Sequence, residues 1–323
     1  MNQFSARDLR RLRDRVEDIR HSRRKESREA DLAAALNDYG NRLAERGERQ
    51  EAIAALQEAV AIGRRVANQE KAVARNVELA IYLNNLGVVQ TRDGRLADAA
   101  TTIREAVDIR RGLIRVDPSL IGDLAIGLTN LSNVLANMGN PSDAAQAALE
   151  AFELAQAQGG TAPQLASIMS NLANALRERS LASGDPVDLD RAIDLYQQAR
   201  ESLTGALGPR HPQVAGIMSN LANALRERSL ASGDPVDLDR AIDLYQQARE
   251  SVPVTYPQTP GINSNLATAL RERYFVSGDR TDLTRAINLY QEALALLPPG
   301  DTRGRETVSQ LLQQSIQALA QEN

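Results

Sequence analysis

Apolar residues recur at spacings of three and four along most of the chain, which places them on one face of an α-helix. Ile168, Leu172 and Leu176 form one such stripe, and a second stripe runs from Leu189 to Ala199. The pattern predicts two consecutive helices, each with one buried face.

The segment between these two helices has the residues of a helix end followed by a helix start. Gly184 suits the C-terminal stop of the first helix, because glycine readily adopts the left-handed conformation found there. Asp185 suits the N-cap of the second helix, and Pro186 is tolerated at its first position. All twelve prolines of the chain fall at predicted turns or helix starts. The unit is therefore predicted to be a helical hairpin.

The hairpin is repeated. The segment from Ile168 to Ser202 recurs without a change from Ile217 to Ser251, and a diverged copy begins at Ile262. Weaker copies upstream share a small residue in the first helix and a glycine seven residues later, at Gly40 and Gly47, Gly87 and Gly94, and Ser132 and Gly139. Six hairpins are predicted, at about 31–67, 75–117, 122–158, 163–204, 212–252 and 260–297. The last three carry seven additional residues, which are expected between their two helices.

Amphipathic helices are predicted to flank the hairpins, at residues 1–30 and 300–323. Leu9, Leu12 and Val16 share one face of the first, and Val308 and Leu312 share one face of the second. Each is expected to cap the array, because the terminal units of a stacked array lack a neighbour on one side.

The small residue of the first helix, the turn glycine, and the alanine and bulky residue of the second helix resemble the tetratricopeptide repeat, over about 270 of the 323 residues. The first-helix tryptophan of that family is absent, and the repeats are longer than the usual length of roughly 34 residues. The resemblance implies an all-α, right-handed superhelical solenoid of six hairpins whose first helices line a concave groove. The last three repeats also resemble arrays found with CHAT-type proteases or in large actinobacterial regulators.

Composition favours thin core layers and argues against catalysis. Aromatic residues are 3% of the chain and hydrophobic residues 42%, so the core must be built mainly from alanine and aliphatic side chains. The absence of cysteine excludes disulfides, thiolate metal sites and cysteine nucleophiles. His21 and His211 are far apart and match no zinc-binding spacing. We expect no enzyme activity, no metal and no cofactor.

Asparagines recur at equivalent positions of the predicted first helices. They lie two residues before or one residue after the small residue, at Asn85, Asn130, Asn133, Asn171, Asn174, Asn220, Asn223 and Asn265. An amide carries two donors and an acceptor, so a row of amides can pair with the backbone of an extended peptide. Similar rows hold ligand backbones in peptide-binding members of the family. The alternative is that these amides bond to neighbouring helices.

An arginine follows four residues after the small residue in the last three hairpins, at Arg177, Arg226 and Arg271. A guanidinium can hold a carboxylate through two hydrogen bonds, so this half of the groove could favour an acidic segment or a C-terminal carboxylate. The alternative is a surface pair with a glutamate such as Glu178 or Glu227. Arg179, Arg228 and Arg273 are expected to be solvated.

The sequence therefore predicts a non-enzymatic scaffold that holds an extended peptide or a partner helix. A second interpretation is a sensor or adaptor subunit of a bacterial effector system, such as a protease or a signalling ATPase.

Ten basic residues before residue 30 are interleaved with six acidic ones, which disfavours binding of nucleic acid. No apolar run is expected to span a membrane, no leader is recognisable, and a cytoplasmic location is expected. The preference for arginine over lysine is typical of a GC-rich bacterial genome.

Overall fold

The computed structural model describes residues 6–22 and 28–321. These residues form fourteen α-helices and no strand, so the predicted all-α fold is confirmed. The helices are α1 (Ala6–His21), α2 (Arg28–Glu45), α3 (Arg49–Glu70), α4 (Val73–Arg92), α5 (Leu96–Leu113), α6 (Ile121–Asn137), α7 (Pro141–Ala157), α8 (Ala162–Ser183), α9 (Pro186–Leu207), α10 (Pro212–Ser232), α11 (Pro235–Ser251), α12 (Thr259–Ser277), α13 (Arg280–Leu296) and α14 (Thr302–Gln321). A short 3-10 helix, Pro118–Leu120, precedes α6. The parts of the predicted N-terminal helix at 1–5 and 23–27 lie outside the described residues.

The chain divides into two compact units, residues 1–160 and residues 161–323. In unit 1, helices α2 and α3, α4 and α5, and α6 and α7 pack as hairpins, and α1 packs against α2. In unit 2, helices α8 and α9, α10 and α11, and α12 and α13 pack as hairpins, and α14 packs against α13. Within each unit the second helix of a hairpin also packs against the first helix of the next.

The turns of unit 2 have the predicted chemistry. Gly184 ends α8 in the left-handed conformation, with φ of 76°. The equivalent glycines Gly233 and Gly278 end α10 and α12 in the same conformation. The Asp185 side chain accepts a hydrogen bond from the backbone N–H of Val187, which makes it the N-cap of α9. A local sequence signal thus sets where each helix stops and where the next begins.

The seven additional residues of the last three hairpins are helical, so their predicted place between the helices is wrong. Helix α2 ends five residues after Gly40, whereas α8 ends ten residues after Ala173. Helix α9 also begins six residues before Ala192, whereas α3 begins three before Ala52. The turn is three residues long in the first hairpin, 46–48, and two residues long in the fourth, 184–185. The reason is that the added residues before Gly184 are compatible with a helix, and the glycine is the first strong stop.

Alanine, leucine and a few large side chains fill the core, as the composition predicts. Tyr196, Tyr245 and Tyr290 occupy one equivalent position in unit 2 and are 0% exposed. Each inserts its ring from the second helix of a hairpin, so the low aromatic content still supplies one large anchor for each of these three layers.

Arg110 is an exception in the core of unit 1. It is only 6% exposed, its Nη1 atom has no hydrogen-bond partner, and burial lowers its pKa. It extends from α5 towards α6, where a Cβ on Gly127 would lie 2.7 Å from Nη1. The glycine therefore provides the room that the buried guanidinium occupies.

One segment, Pro118–Asn137, is long and apolar enough to cross a membrane by length and composition alone. The sequence analysis did not single out this segment, which meets the criteria of length and mean hydropathy alone. Its buried leucines, among them Leu124, Leu128 and Leu131, belong to a helix that packs against α5 and α7. Its apolar character is accounted for by its place in the core of unit 1.

Candidate binding surface on the first helices

The small residue of each first helix is the point at which that helix approaches its partner in the hairpin. At Gly40, a Cβ would lie 2.7 Å from Leu56 Cγ, so any larger residue would force a shift. Ala173, Ala222 and Ala267 are fully buried. Residues two before and one after this point lie on one side of the helix, away from the closest contact, because successive residues are rotated by about 100°.

In unit 1, the predicted amides pair with asparagines of the preceding hairpin. Asn85 donates from Nδ2 to Asn37 Oδ1 at 2.9 Å, and Asn130 donates to Asn84 Oδ1 at 2.9 Å. Asn133 is exposed. Asn37 and Asn84 were missed by the sequence argument, although they occupy the same position, three residues before the small residue. The amides of this unit therefore link successive first helices, through Asn37, which is buried, and through half-buried asparagines.

In unit 2, tyrosines of the second helices orient two of the predicted amides. Tyr196 donates its hydroxyl to Asn174 Oδ1 at 2.5 Å, and Tyr245 donates to Asn223 Oδ1 at 2.5 Å. Asn265 donates from Nδ2 to Asn223 Oδ1 at 3.3 Å. Burial raises the pKa of both tyrosines, which keeps their hydroxyls protonated as donors.

These contacts leave a defined set of polar atoms at the surface of unit 2. Asn223 Oδ1 accepts two hydrogen bonds and Asn174 Oδ1 accepts one, so the NH2 groups of both residues are the donors that remain for a ligand. Asn171 and Asn220 are half-buried and make no side-chain hydrogen bond within the described part of the chain. Asn174 and Asn223 thus present N–H donors at this surface, whereas Asn171 and Asn220 present both the donor and the acceptor of the amide.

The arginine row of unit 2 pairs with the following hairpin. Arg177 donates from Nη1 to Glu227 Oε1 at 2.9 Å, and Arg226 donates to Glu272 Oε1 at 2.7 Å. Arg271 forms no ion pair within the described residues; it donates to Gln314 Oε1 at 3.0 Å. Two of the three arginines are therefore already matched by carboxylates of the chain.

The glutamates of this row are held in partly buried positions. Burial raises the pKa of Glu227 and of Glu272, against the opposing effect of the neighbouring arginines. The Oε2 atom of each glutamate is buried without a hydrogen-bond partner, as is the Nε atom of each of the three arginines. Each contact therefore retains one donor and one acceptor that the protein does not pair.

The second set of arginines is not simply solvated, as the sequence argument expected. Arg179 donates from Nε and Nη2 to the two carboxylate oxygens of Asp188, both at 2.6 Å. Arg228 and Arg273 hold Asp237 and Asp282 in the same way. The aspartates lie in the first turn of each second helix, so the pair closes the hairpin. This register was not visible in the sequence, because it depends on the extended end of the first helix.

Two known families match parts of the chain. Residues 144–270 match the family described as Tetratricopeptide Repeats-Sensor, and residues 32–70 match a second family described as Tetratricopeptide repeat. The chain is a tetratricopeptide repeat (TPR) protein.

Solved structures of low sequence identity share the fold of this TPR protein. A TPR protein from Parabacteroides merdae is 14% identical with a TM-score of 0.57, and the match covers 96% of this chain and 94% of that one. BtubC (BKLC) from P. vanneervenii is 19% identical with a TM-score of 0.52, and the match covers 84% and 92%. A search of curated proteins finds no significant match.

Helix α1 of the TPR protein forms a cleft of about 660 Å³ with α2. The cleft is lined by Asp8, Arg11, Leu12, Asp38, Asn41, Arg42 and Glu45. Arg20 of α1 pairs with Glu17 at 2.9 Å and with Glu58, and Arg15 lies 3.8 Å from Asp38. These pairs reduce the positive potential of α1. The basic residues Arg23, Arg24 and Lys25 lie outside the described residues.

The two histidines of the TPR protein have local structural contacts. His21 is exposed, and its Nδ1 lies 2.8 Å from the carbonyl oxygen of Glu17. His211 is the N-cap of α10, where Nδ1 accepts a hydrogen bond from the backbone N–H of Gln213 at 3.3 Å. Within the described residues, no group of three or more histidine, aspartate or glutamate side chains is arranged to hold a metal ion.

Proposed function

We propose that this TPR protein is a non-enzymatic scaffold that holds a protein partner against its first helices, as an extended peptide or a partner helix. TPR arrays are typically protein–protein interaction scaffolds, and the match to two TPR families supports that general role. The observation that carries the binding mode is the set of outward amide groups in unit 2, where Tyr196 and Tyr245 fix the orientation of Asn174 and Asn223.

The partner's backbone is the chemical group that fits these amides best. The NH2 groups of Asn174 and Asn223 complement carbonyl oxygens, and the complete amides of Asn171 and Asn220 can pair with both N–H and C=O. The surfaces that carry these residues are identical in sequence in two successive hairpins. They therefore suit a ligand whose contacts repeat along its backbone. Strict dependence of affinity on one ligand side chain, measured by calorimetry, would count against this mode.

An acidic segment or a C-terminal carboxylate is the charge preference that we propose. Arg271 is the best placed of the three arginines, because its described hydrogen bond goes to the neutral Gln314. A carboxylate at Arg177 or Arg226 would have to compete with Glu227 or Glu272. Arg271→Gln should therefore weaken an acidic ligand more than Arg226→Gln does.

The proposal is tested by capture from the native host followed by quantitative mass spectrometry and by affinity measurement on the captured partner. Changing Asn171, Asn220 and Asn265 together to alanine should weaken the partner at least tenfold, roughly 1.4 kcal/mol. Asn288→Ala, on the exposed face of α13, is the matched control and should leave the affinity unchanged. Unchanged affinity in the triple variant would show that the amide surface is not the binding site.

A second candidate function is a sensor or adaptor subunit of an effector system. The match of residues 144–270 to a family described as a sensor favours it. In that case the chain should co-purify with a protease or signalling ATPase encoded beside it. Binding of the partner should then change the activity of that effector, whereas a simple scaffold would bind without such an effect.

A further inference from the structure

The turn ends of the three hairpins in unit 2 form an exposed apolar surface. We define the tip surface as residues 181–187, 230–236 and 275–281, all of which are exposed. Its large apolar side chains are 56% to 76% exposed: Leu181, Val187, Leu230, Val236, Phe275 and Val276. The same kind of side chain therefore recurs at three successive tips.

The tip surface carries four charged side chains among its 21 residues: Asp185, Asp234, Asp279 and Arg280. Asp185, Asp234 and Asp279 accept backbone hydrogen bonds as N-caps. The turns of unit 1 differ, because two of them carry ion pairs, Arg46 with Glu48 and Arg95 with Asp93. The third turn of unit 1 carries one exposed apolar side chain, Met138, which is 39% exposed. The lengthened hairpins therefore differ in that each tip carries two exposed apolar side chains.

The exposed area is in the range that a specific interface requires. Six side chains of this size and exposure present about 600 Å² of apolar surface, which equals the largest patch of a typical monomer. Two such surfaces would bury about 1,200 Å² in total, the lower end of the range for specific protein interfaces. A surface of this size and composition is therefore large enough for a partner of equal size.

We propose that the tip surface binds a second copy of this chain, in a two-fold dimer centred on the middle tip. In a two-fold interface the same surface is used by both copies. The middle tip, with Leu230 and Val236, would contact its own equivalent. The first tip of one copy would contact the third tip of the other, so that all three tips are used twice.

The charges of the tips favour this antiparallel arrangement. The first tip carries Asp185 as its charged residue, whereas the third tip carries Arg280 beside Asp279. A two-fold axis at the middle tip brings Arg280 of one copy towards Asp185 of the other. A parallel arrangement would place all three aspartates opposite their own equivalents, which is unfavourable, whereas the two-fold arrangement does so only for Asp234 of the middle tip. The tip surface contains none of the amides of the proposed peptide site, although the Phe275 ring lies 5.3 Å from the Arg271 guanidinium. The substitutions at Leu230 and Val236 used below avoid that contact, so failure of one proposal does not entail failure of the other.

Sedimentation of the full chain from about 1 to about 200 µM tests the proposal, because dimer formation depends on concentration. We expect a monomer–dimer equilibrium that Leu230→Ser together with Val236→Ser weakens at least tenfold. Val116→Ser is the matched control, since Val116 is 70% exposed in unit 1. A monomer throughout this range, or a dimer that the tip substitutions do not weaken, would overturn the proposal. Far-UV circular dichroism verifies that each variant is folded.

The absence of native cysteine allows the geometry to be tested directly. Leu230→Cys should form a disulfide-linked dimer under mild oxidation, and Val116→Cys should not. Leu181→Cys should crosslink poorly alone but efficiently when mixed with Val276→Cys, because these tips face each other only across the two-fold axis. Equal crosslinking of the position 116 and position 230 variants would contradict a specific interface. Efficient crosslinking of Leu181→Cys alone would contradict the antiparallel dimer.

Discussion

The guanidinium of Arg110 lies against Gly127, and the preceding contact between hairpins has the reverse arrangement. There, the glycine is on α3 and the large side chain on α4: a Cβ on Gly63 would lie 3.1 Å from Tyr82 Cδ2. Gly63 and Arg110 are equivalent positions, eleven residues after the first buried alanine of their helices. The two interfaces of unit 1 are thus filled from opposite sides.

This exchange leads to a prediction about stability. Arg110→Met keeps an unbranched side chain but removes the buried Nη1 that has no partner. Leaving such a group unsatisfied typically costs about 1–3 kcal/mol. We expect the variant to raise the free energy of unfolding by about 1 kcal/mol, measured by urea unfolding. Arg111→Met is the control; it loses an exposed pair with Glu150 and should be neutral or slightly destabilising. A lower urea midpoint for Arg110→Met would show that the arginine contributes more than it costs.

Lys71 provides a second stability prediction. It ends α3 with φ of 50°, in the left-handed region that glycine adopts without strain. We expect Lys71→Gly to raise the free energy of unfolding by about 0.5–1 kcal/mol. Lys71→Ala retains a Cβ and should give no gain, which separates backbone strain from loss of the charge. Equal effects of the two substitutions in thermal unfolding would argue against a conformational cause.

The identical hairpins allow a matched comparison of two tyrosines. Tyr196→Phe leaves Asn174 Oδ1 without its described donor, whereas after Tyr245→Phe the oxygen of Asn223 still accepts from Asn265. A lost hydrogen bond typically costs about 1 kcal/mol. We therefore expect Tyr196→Phe to destabilise the protein by about that amount and Tyr245→Phe by less. Chemical denaturation of both variants checks the order, and a larger loss at Tyr245 would contradict the role assigned to Asn265.

Asp188 should contribute to the dependence of stability on pH. Hydrogen bonds from Arg179 lower its pKa below the ordinary range. Its contribution is therefore fully present above about pH 4, the ordinary pKa of aspartate, and is lost as the pH falls through the lower value in the folded state. We expect Asp188→Asn to lower the free energy of unfolding at pH 7 by about 1–2 kcal/mol.

The same variant should flatten the loss of stability below about pH 4, because it removes one carboxylate that must be protonated. Asp194→Asn is exposed on α9 and serves as the control at each pH. If the wild type and Asp188→Asn lost stability in parallel between pH 5 and about pH 2, the ion pair would not be the cause.

The sequence was sufficient for features encoded by neighbouring residues. Gly184 and Asp185 set the turn through their own backbone and side-chain preferences, so the helix boundaries there could be predicted. The register of apolar stripes likewise gave the pairing of helices. Buried Tyr196 followed from its place in such a stripe.

Contacts between distant residues could not be predicted in the same way. Arg179 and Asp188 meet only because both helices extend towards the turn, and the sequence placed the added residues between the helices instead. The partner of Arg177 is Glu227, in the next hairpin, and the choice between this glutamate and a ligand depends on how closely the hairpins pack. Asn37 and Asn84 were missed because their role depends on which amide of the following helix faces them.

The Arg177–Glu227 contact also bears on how the gene can change. Both identical hairpins supply an arginine that pairs with a glutamate of the next hairpin, Arg177 with Glu227 and Arg226 with Glu272. The second of them also supplies Glu227 to the hairpin before it. A duplicate inserted between them would therefore bring both halves of the joint with it. Unequal recombination within the repeated stretch could lengthen or shorten the protein by whole hairpins without creating an unmatched charge at the new junction.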